Sequence, residues 1–321
     1  MENIHIINIQ FLVKYIEEND FEWIDNDHSK KVTYFSSWWW THLYLIENWD
    51  KKFLARINFY PQKNEWKVKR AEFEILNEIK ELDISPKVYI LDEDNELWQD
   101  ITIVDYIEGE QLNNISNLDV INLSKNLKKL HNFSATYDIE ENLPYKCEIF
   151  DEFAWGEDKM IENYKYKDIE KVYEKYNSIK KRLGEWFNNL KIFEKCTELC
   201  ICHADLKYEN ILRTSSDIML IDWECAWIDI IETDIWRLFS WCNFTNSQQE
   251  LFINYYFWKQ PSKLIIFRIM SIKTVLDFFK IIDDFCVHKR KLFEAEEMIE
   301  ELSRFEKEFE SIKNDIDANY S

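Results

Sequence analysis

The feature that most constrains this chain is a pair of short apolar segments, each followed at once by acidic or amide side chains. Residues 199–202 lead into Asp205 and Asn210, and residues 218–221 lead into Asp222. Both segments are typical of small strands around a polar loop. Carboxylate and amide oxygens are ligands that Mg²⁺ prefers, and a carboxylate can accept the proton of a reacting hydroxyl. Single acids beside strands are commonly turn or cap residues, but three such side chains at this spacing favour a site, with Asn210 and Asp222 as metal ligands and Asp205 as a base.

The residues around these acids follow a known catalytic pattern. His203-Ala204-Asp205 with Asn210, and then Asp222-Trp223-Glu224, resemble the kinase pattern H-x-D-x-x-x-x-N followed by a metal-binding Asp. They are most similar to the aminoglycoside phosphotransferase and choline kinase family, because protein kinases carry Arg before the catalytic Asp and Asp-Phe-Gly at the metal site. Members of the family usually have Gly or Asn where Ala204 stands, which leaves the subfamily open.

This resemblance spans about residues 30–280 and implies a bilobal, protein-kinase-like α+β fold. A small N-terminal β-sheet lobe, residues 1–107, is expected to bind the nucleotide. A larger, mainly helical C-terminal lobe, residues 108–321, is expected to carry catalysis and the acceptor. The implied reaction is Mg²⁺-dependent transfer of the γ-phosphoryl group of ATP, with GTP as an alternative donor, to a hydroxyl of a small molecule. The same resemblance implies that Asp234 braces the loop of the catalytic base, Asp205.

On the nucleotide side, the resemblance assigns a strand cation and a helical partner. Residues 53–57 alternate as a buried strand, and Arg56 stands where choline kinases align the phosphates. The periodicity of residues 68–82 predicts an amphipathic helix. Matching that helix to the family makes Glu72 the ion-pair partner of Arg56, with Glu74 as the alternative if the match slips.

The turn that covers the phosphates departs from the family pattern. Residues 35–46 stand where the family has a glycine-rich turn, and Thr41 keeps the strand side of that pattern. The glycines are replaced by Ser36, Ser37 and three tryptophans. Because Gly lets backbone N–H groups approach phosphate oxygens closely, this replacement predicts a loop that covers the nucleotide with side chains or holds phosphates less tightly. A hydrophobic hairpin without a ligand role is the alternative.

A β-rich run over residues 101–110 ends at the first Gly of the chain and resembles the family's hinge between the lobes. The resemblance implies that backbone atoms around Asp105, Tyr106 and Ile107 meet the edge of the adenine. We also expect Gly109 to adopt a backbone conformation that other residues resist.

The acceptor site is predicted from residue type and position. Glu224 follows Asp222 on the same extended stretch, so both side chains should point to one face, where a carboxylate would orient a cationic acceptor. Tyr255 and Trp258 stand where related kinases line the acceptor pocket, and Trp227 is a third aromatic candidate. The 14 tryptophans could supply a cage for a quaternary ammonium group. An aromatic stripe on a helix is more often core, and Glu224 could instead bond only loop backbone.

Composition limits the remaining classes of function. The 321 residues are 46% hydrophobic, which suffices for a sizeable core. The formal net charge of −21 argues against nucleic acid or an anionic membrane surface as a partner and is compatible with a cationic substrate. The seven Cys follow no zinc or disulfide framework, and neither a signal peptide nor a membrane-spanning run is recognisable. We therefore expect a cytoplasmic protein without membrane insertion.

Three functions remain open at this point. Arg56, the pattern over residues 41–46 and Glu224 lean towards a choline kinase-like enzyme that acts on choline, ethanolamine or a similar cationic alcohol. An aminoglycoside O-phosphotransferase would suit the acidic chain nearly as well. A pseudokinase that binds nucleotide as an interaction module is supported by the missing glycines and opposed by the intact base and metal ligands.

Overall fold

The chain folds as two compact units. The first comprises Met1–Leu143 with Lys207–Ala226, and the second Pro144–Leu206 with Trp227–Ser321. The predicted lobe boundary at residue 107 is not a boundary of these units and stays a prediction. The computed structural model describes residues 2–19, 21–25, 27–38, 41–58, 66–97, 99–134, 169–190, 199–259, 261–283 and 295–320.

A five-stranded antiparallel sheet forms the core of the first unit. Its strands lie in the order β1-β2-β3-β5-β4, and β2 alternates strictly between buried and partly exposed side chains, as expected for a strand with one face on the core. Helix α1, Glu2–Glu18, packs against β1. The strands are β1 (Lys30–Trp38), β2 (Thr41–Asn48), β3 (Lys51–Asn58), β4 (Val88–Asp92) and β5 (Ile101–Asp105).

Helix α2, Trp66–Ile79, continues into a 3₁₀ turn, Lys80–Leu82. The predicted helix over residues 68–82 therefore exists, with a tighter last turn. The buried stripe of α2 holds two charged residues, Lys69 and Glu72, followed by apolar side chains that include Leu76 and Ile79. This i, i+3, i+7 spacing is that of a helix face turned to the interior, and it brings two charges to that face.

A small three-stranded sheet completes the first unit. Strand β8, Ile211–Arg213, lies between β6, Glu110–Gln111, and β9, Ile218–Leu220. Helix α3, Asn117–His131, begins with a capping box made by Ser116 and Asp119, which satisfies N–H groups at the helix start. The Asn126 side chain of α3 donates to the Ile218 carbonyl over 2.8 Å, so the helix is tied to β9.

Gly109 lies just before β6, and its role differs from our expectation. No described glycine has a positive φ, so an unusual backbone conformation is not the reason for Gly. A Cβ at this position would lie 2.9 Å from the Arg213 carbonyl oxygen and 3.2 Å from the Leu212 Cβ. Gly109 therefore allows close approach to strand β8.

The described part of the second unit is mainly helical. A two-stranded antiparallel sheet pairs β7, Cys200–Cys202, with β10, Trp227–Asp229. Aromatic side chains fill the helical core, where the Tyr176 and Phe278 rings stack with their centroids 5.1 Å apart. The helices are α4 (Ile169–Asn188), α5 (Ile231–Trp241), α6 (Asn246–Phe257), α7 (Lys263–Asp283) and α8 (Ala295–Tyr320).

The expected turn over residues 35–42 is largely strand. Residues 35–38 belong to β1 and Thr41 begins β2, while residues 39 and 40 lie outside the described residues. Across the part of the chain that the structure describes, no helix combines the length and apolar composition needed to cross a membrane.

Candidate active site

Five charged side chains of the first unit meet at one place, which we term the charge cluster: Arg56, Lys69, Glu72, Asp222 and Glu224. Arg56, on β3, places Nη1 2.5 Å from Oε1 of Glu72, on α2. The alternative partner, Glu74, does not make this ion pair. Burial acts to raise the pKa of Glu72, but the Arg56 and Lys69 charges overcome it and the pKa is lowered. Burial likewise opposes the charge of Arg56, and the three carboxylates overcome it, so the pKa of Arg56 is raised.

Lys69 is a member of the charge cluster that the sequence analysis missed. Its side chain is only 9% exposed, and its Nζ lies 2.8 Å from Oε2 of Glu224 and 3.5 Å from Oε2 of Glu72. The sequence does carry a weak indication, since a Lys and a Glu three residues apart fall on the stripe of α2 that is otherwise apolar. Burial of an ammonium group is costly unless carboxylates compensate it, and here two of them do.

Asp222 and Asn210 are brought together by the hairpin of β8 and β9. The hairpin pairs Ile211 with Leu220, and the next residue along, Ile221, donates its N–H to the Asn210 carbonyl over 2.9 Å. Asn210 is buried. Asp222 has a left-handed backbone with φ of 65°, a conformation that Asp tolerates better than most residues.

The carboxylate of Asp222 is incompletely compensated within the protein. Its Oδ1 lies 3.7 Å from Nη2 of Arg56, and it accepts no hydrogen bond from another described residue. Burial raises the pKa of Asp222 to about 6, against the opposing charge of Arg56. A divalent cation would supply the missing positive charge, and a carboxylate with a neighbouring carboxamide is a suitable oxygen donor set. The residues present at this position therefore fit Mg²⁺.

The loop of Asp205 is built within the second unit and follows β7. Both carboxylate oxygens of buried Asp234 accept backbone N–H groups, from His203 and from Ala204, each over 2.8 Å. The Asp205 N–H donates to Nδ1 of His203 over 3.3 Å. Asp234 thus holds this loop, in agreement with the bracing role inferred for it. Asp205 belongs to the second unit, whereas Asn210 and Asp222 belong to the first.

Asp105 ends β5, and Tyr106 and Ile107 follow it directly. The hydrogen bonds of these three residues, which were expected at the hinge, differ. The backbone N–H of Asp105 donates to the Lys87 carbonyl over 2.9 Å, and that of Tyr106 donates to the Lys52 carbonyl over 3.1 Å. The Tyr106 carbonyl and both backbone groups of Ile107 make no hydrogen bond to a described residue. The Tyr106 carbonyl and the backbone groups of Ile107 are therefore available for a nucleobase edge, and the N–H of Asp105 is not.

One aromatic side chain of β1, that of Phe35, lies beside Tyr106. The Phe35 ring meets the Tyr106 ring edge to face, with centroids 5.7 Å apart, although Phe35 is 48% exposed. The expected nucleotide residue Thr41 donates its hydroxyl to the Asn58 side chain over 2.7 Å. Its hydroxyl is thus engaged with the neighbouring strand β3.

The residues expected at the acceptor are found in both units. Glu224 belongs to the charge cluster, where its side chain is 42% exposed. Trp227 donates Nε1 to Asp229 over 3.2 Å, and the Arg237 guanidinium lies 5.4 Å from the centre of its ring. Tyr255 and Trp258 are 41% and 73% exposed at the end of α6. Phe252 and Tyr256 of the same helix are buried, so only part of the aromatic stripe is core.

The fold and the charge cluster define a phosphotransferase of the kinase-like class. The family model described as "Phosphotransferase enzyme family" matches residues 32–264, so the chain belongs to this family. The predicted family and the kinase-like α+β fold class are both confirmed. No curated protein matches the chain significantly in sequence.

Solved structures share this fold over nearly their full length. A choline kinase from Cryptosporidium parvum Iowa II is 16% identical, with a TM-score of 0.66 over 94% of this chain and 97% of that chain. A choline kinase from Streptococcus pneumoniae is 18% identical, with a TM-score of 0.57 over 92% and 98%. A spectinomycin phosphotransferase, solved with ADP and spectinomycin, is 15% identical, with a TM-score of 0.58 over 92% and 93%. At these identities the likeness shows the fold.

Proposed function

We propose that this protein transfers the γ-phosphoryl group of ATP, in the presence of Mg²⁺, to a hydroxyl of a small cationic alcohol of the choline or ethanolamine type. The observation that carries the proposal is the buried ion pair of Arg56 with Glu72. The guanidinium of Arg56 also lies 3.7 Å from the carboxylate of Asp222. A cation suited to phosphates and a carboxylate suited to a metal ion are thereby held together.

Each residue of the site then has one task. Glu72 orients Arg56, whose planar guanidinium suits phosphate oxygens. Asn210 and Asp222 hold the divalent cation, which, when bound, neutralises charge on the transferring phosphates. Asp205 orients the acceptor hydroxyl and accepts its proton, and Asp234 holds the loop that carries it. Transfer of this kind depends mainly on positioning and electrostatics, which suits a preformed cluster.

The nucleotide base is proposed to lie against the hinge. The carbonyl of Tyr106 and the backbone groups of Ile107 make no hydrogen bond to a described residue, so they can serve the base edge. Asp105 contributes by fixing the hinge, since its carboxylate accepts from the Tyr89 hydroxyl over 2.7 Å. Thr41 is proposed to border the phosphates from the start of β2.

The acceptor is proposed to be cationic because of Glu224. Both cations near this carboxylate contact Oε2, at 2.8 Å from Lys69 and 3.9 Å from Arg56, which leaves Oε1 for an acceptor group. Trp227, Tyr255 and Trp258 are the proposed aromatic contacts of an ammonium group. An aminoglycoside is the second candidate, favoured by the fold likeness to a spectinomycin phosphotransferase.

A transfer assay with the full chain tests the proposal. The protein is incubated with Mg²⁺ and γ-labelled ATP or GTP, with choline, ethanolamine, spectinomycin or the neutral alcohol glycerol as acceptor, and labelled products are identified by mass spectrometry. We expect transfer from ATP to choline or ethanolamine. Asp205→Asn should lower turnover by about 10²-fold or more while nucleotide binding persists. Glu209→Gln, a neighbouring acid without an assigned task, serves as the matched control and should retain turnover.

The outcomes separate the alternatives. Transfer to spectinomycin alone would favour the second candidate, and transfer to glycerol at an equal rate would contradict a cationic acceptor. Nucleotide binding without transfer to any acceptor would favour an interaction module over an enzyme. Near-normal turnover of Asp205→Asn would remove that residue from its proposed task.

A further inference from the structure

Lys69 is the buried cation of the charge cluster to which the proposed reaction assigns no task. It lies one helical turn before Glu72 on α2, and its Nζ donates to Oε2 of Glu72 over 3.5 Å and to Oε2 of Glu224 over 2.8 Å. Glu224 is 155 positions away in sequence, so only the folded chain brings the pair together. The shorter of the two contacts is a charge-assisted hydrogen bond, which is stronger than a neutral one.

The guanidinium of Arg56 has one nitrogen engaged and one open. Its Nη1 is held by Glu72 at 2.5 Å, whereas its Nη2 makes no hydrogen bond to a described residue. Two carboxylate oxygens lie near Nη2, Oδ1 of Asp222 at 3.7 Å and Oε2 of Glu224 at 3.9 Å. Both distances exceed that of a hydrogen bond. The N–H groups of Nη2 can therefore meet the phosphate oxygens of a nucleotide.

Glu224 can compete with a phosphate for this open nitrogen. A guanidinium binds carboxylate and phosphate oxygens in the same way. The Glu224 side chain is 42% exposed, so it has room to rotate, and its Oε2 is only about 1 Å too far from Nη2 for a hydrogen bond. Lys69, which contacts the same oxygen at 2.8 Å, holds it at that distance.

We infer that Lys69 is a positioning residue that holds Glu224 away from Arg56 and thereby keeps Nη2 of Arg56 open to the phosphates. This inference rests on the proposed function. Among the described residues, Glu224 forms ion pairs with Lys69 and Arg56 alone. Without Lys69, the attraction between opposite charges would draw Glu224 onto the guanidinium, and a nucleotide would have to displace it.

The alternative is that Lys69 acts only as a positive charge near the phosphates. In that case, removal of the negative charge of Glu224 would tighten ATP binding about as much as removal of Lys69 weakens it, since the two charges are equal and opposite. If Lys69 instead holds Glu224 in place, removal of the Glu224 charge changes little, because that carboxylate is not on Arg56 in the unaltered chain. The two accounts therefore differ in the variant Glu224→Gln.

Isothermal titration of ATP into the full chain, in excess Mg²⁺, tests the inference without a transfer assay. Lys69→Met, which has a similar length and no charge, should weaken ATP binding by about tenfold, because Glu224 takes the place of a phosphate on Arg56. Combining Lys69→Met with Glu224→Gln should restore the affinity to within about threefold of the unaltered chain, because the competing carboxylate is gone. Lys69→Arg should retain the affinity, since the charge at Glu224 is kept.

Arg70→Met is the matched control. It removes a cation from the next position of the same helix, where Arg70 is exposed and pairs with Glu93 outside the charge cluster. This variant should bind ATP as the unaltered chain does.

Glu224→Gln with Lys69 intact gives an independent test, because it does not depend on the folding of Lys69→Met. Its ATP affinity should stay within about threefold of the unaltered chain, and a change of about tenfold in either direction would overturn the inference. Unchanged affinity in Lys69→Met, shown to be folded by circular dichroism, would overturn it as well, and so would a double variant that binds no better than Lys69→Met. Absence of ATP binding to the unaltered chain would instead contradict the proposed function, and the inference with it.

Discussion

Two residues of the candidate site, Ala204 and Asp222, have left-handed backbone angles, with φ of 61° and 65°. Asp tolerates this conformation because its short polar side chain can form local hydrogen bonds. For Ala, whose Cβ comes too close to a backbone carbonyl, the conformation costs about 1–2 kcal/mol. At Ala204 the cost is offset by the hydrogen bond of its N–H to Asp234. The preference of the family for Gly or Asn at this position follows from the same backbone requirement.

Ala204→Gly should therefore raise the free energy of unfolding by about 0.5–1 kcal/mol, because removal of the Cβ relieves more strain than the added chain entropy costs. Urea denaturation measures this change. The matched control is Ala55→Gly in strand β3, where φ is not positive and the side chain is fully buried. That variant should be destabilised, and destabilisation of Ala204→Gly by as much would contradict the account of the loop.

The sequence could identify single residues where one element carried the information. Alternation placed Arg56 on a buried strand, and the family match named Glu72 as its partner with Glu74 as the alternative; the folded chain pairs Arg56 with Glu72. Lys69 was not found, because its burial depends on Glu224, which only the folded chain brings near. The engagement of Thr41 with Asn58 is likewise a contact between strands that local pattern does not reveal.

At the level of elements, the hairpin of β8 and β9 positions Asn210 and Asp222, the proposed metal ligands. One further backbone hydrogen bond, from the Ile221 N–H to the Asn210 carbonyl, extends the pairing of the two strands, so the two proposed ligand positions lie side by side. The strands are only three residues each, and their neighbour β6 supports them from one edge. Because Gly109 lets the chain before β6 pack closely against β8, it helps to hold this hairpin in place.

Gly109→Ala should lower the free energy of unfolding by about 1–3 kcal/mol, because its Cβ would lie 2.9 Å from a backbone oxygen of β8 and force a shift. Chemical denaturation provides the measurement. Glu110→Ala, at the exposed neighbouring position, should change stability by no more than about 0.5 kcal/mol. Equal stabilities of the two variants would show that the close approach is unimportant.

Helices and strands were easier to predict from the sequence than the roles of the residues between them. Strong alternation revealed β3, and helical periodicity revealed α2 close to its observed bounds. The run over residues 35–38 was expected in a turn because the family has glycines there, but its aromatic and hydroxyl side chains extend β1 instead. Gly109 was expected to adopt a special backbone conformation, but Gly is needed there because β8 lies close to it. That contact is between segments distant in sequence, so local pattern does not reveal it.

At the level of the whole molecule, residues with a proposed role occur in both units. The first holds the charge cluster and Asn210, and the second holds Asp205 on the loop braced by Asp234. The chain passes from one unit to the other between Leu206 and Lys207, within the catalytic pattern itself. The net charge of −21 would favour a cationic acceptor through long-range attraction, which agrees with the proposed role of Glu224.

The central claim is that the first unit binds a nucleotide through a divalent cation held by Asp222. Isothermal titration of ATP into the full chain, with and without Mg²⁺, tests it most directly. Mg²⁺ should tighten ATP binding to the unaltered chain by about tenfold or more, equivalent to about 1.4 kcal/mol. Asp217→Ala, an acid of the same hairpin turn, should keep this dependence, and Asp222→Ala should lose it because the cation loses its anionic ligand. The same Mg²⁺ dependence in Asp222→Ala as in the unaltered chain would contradict the account.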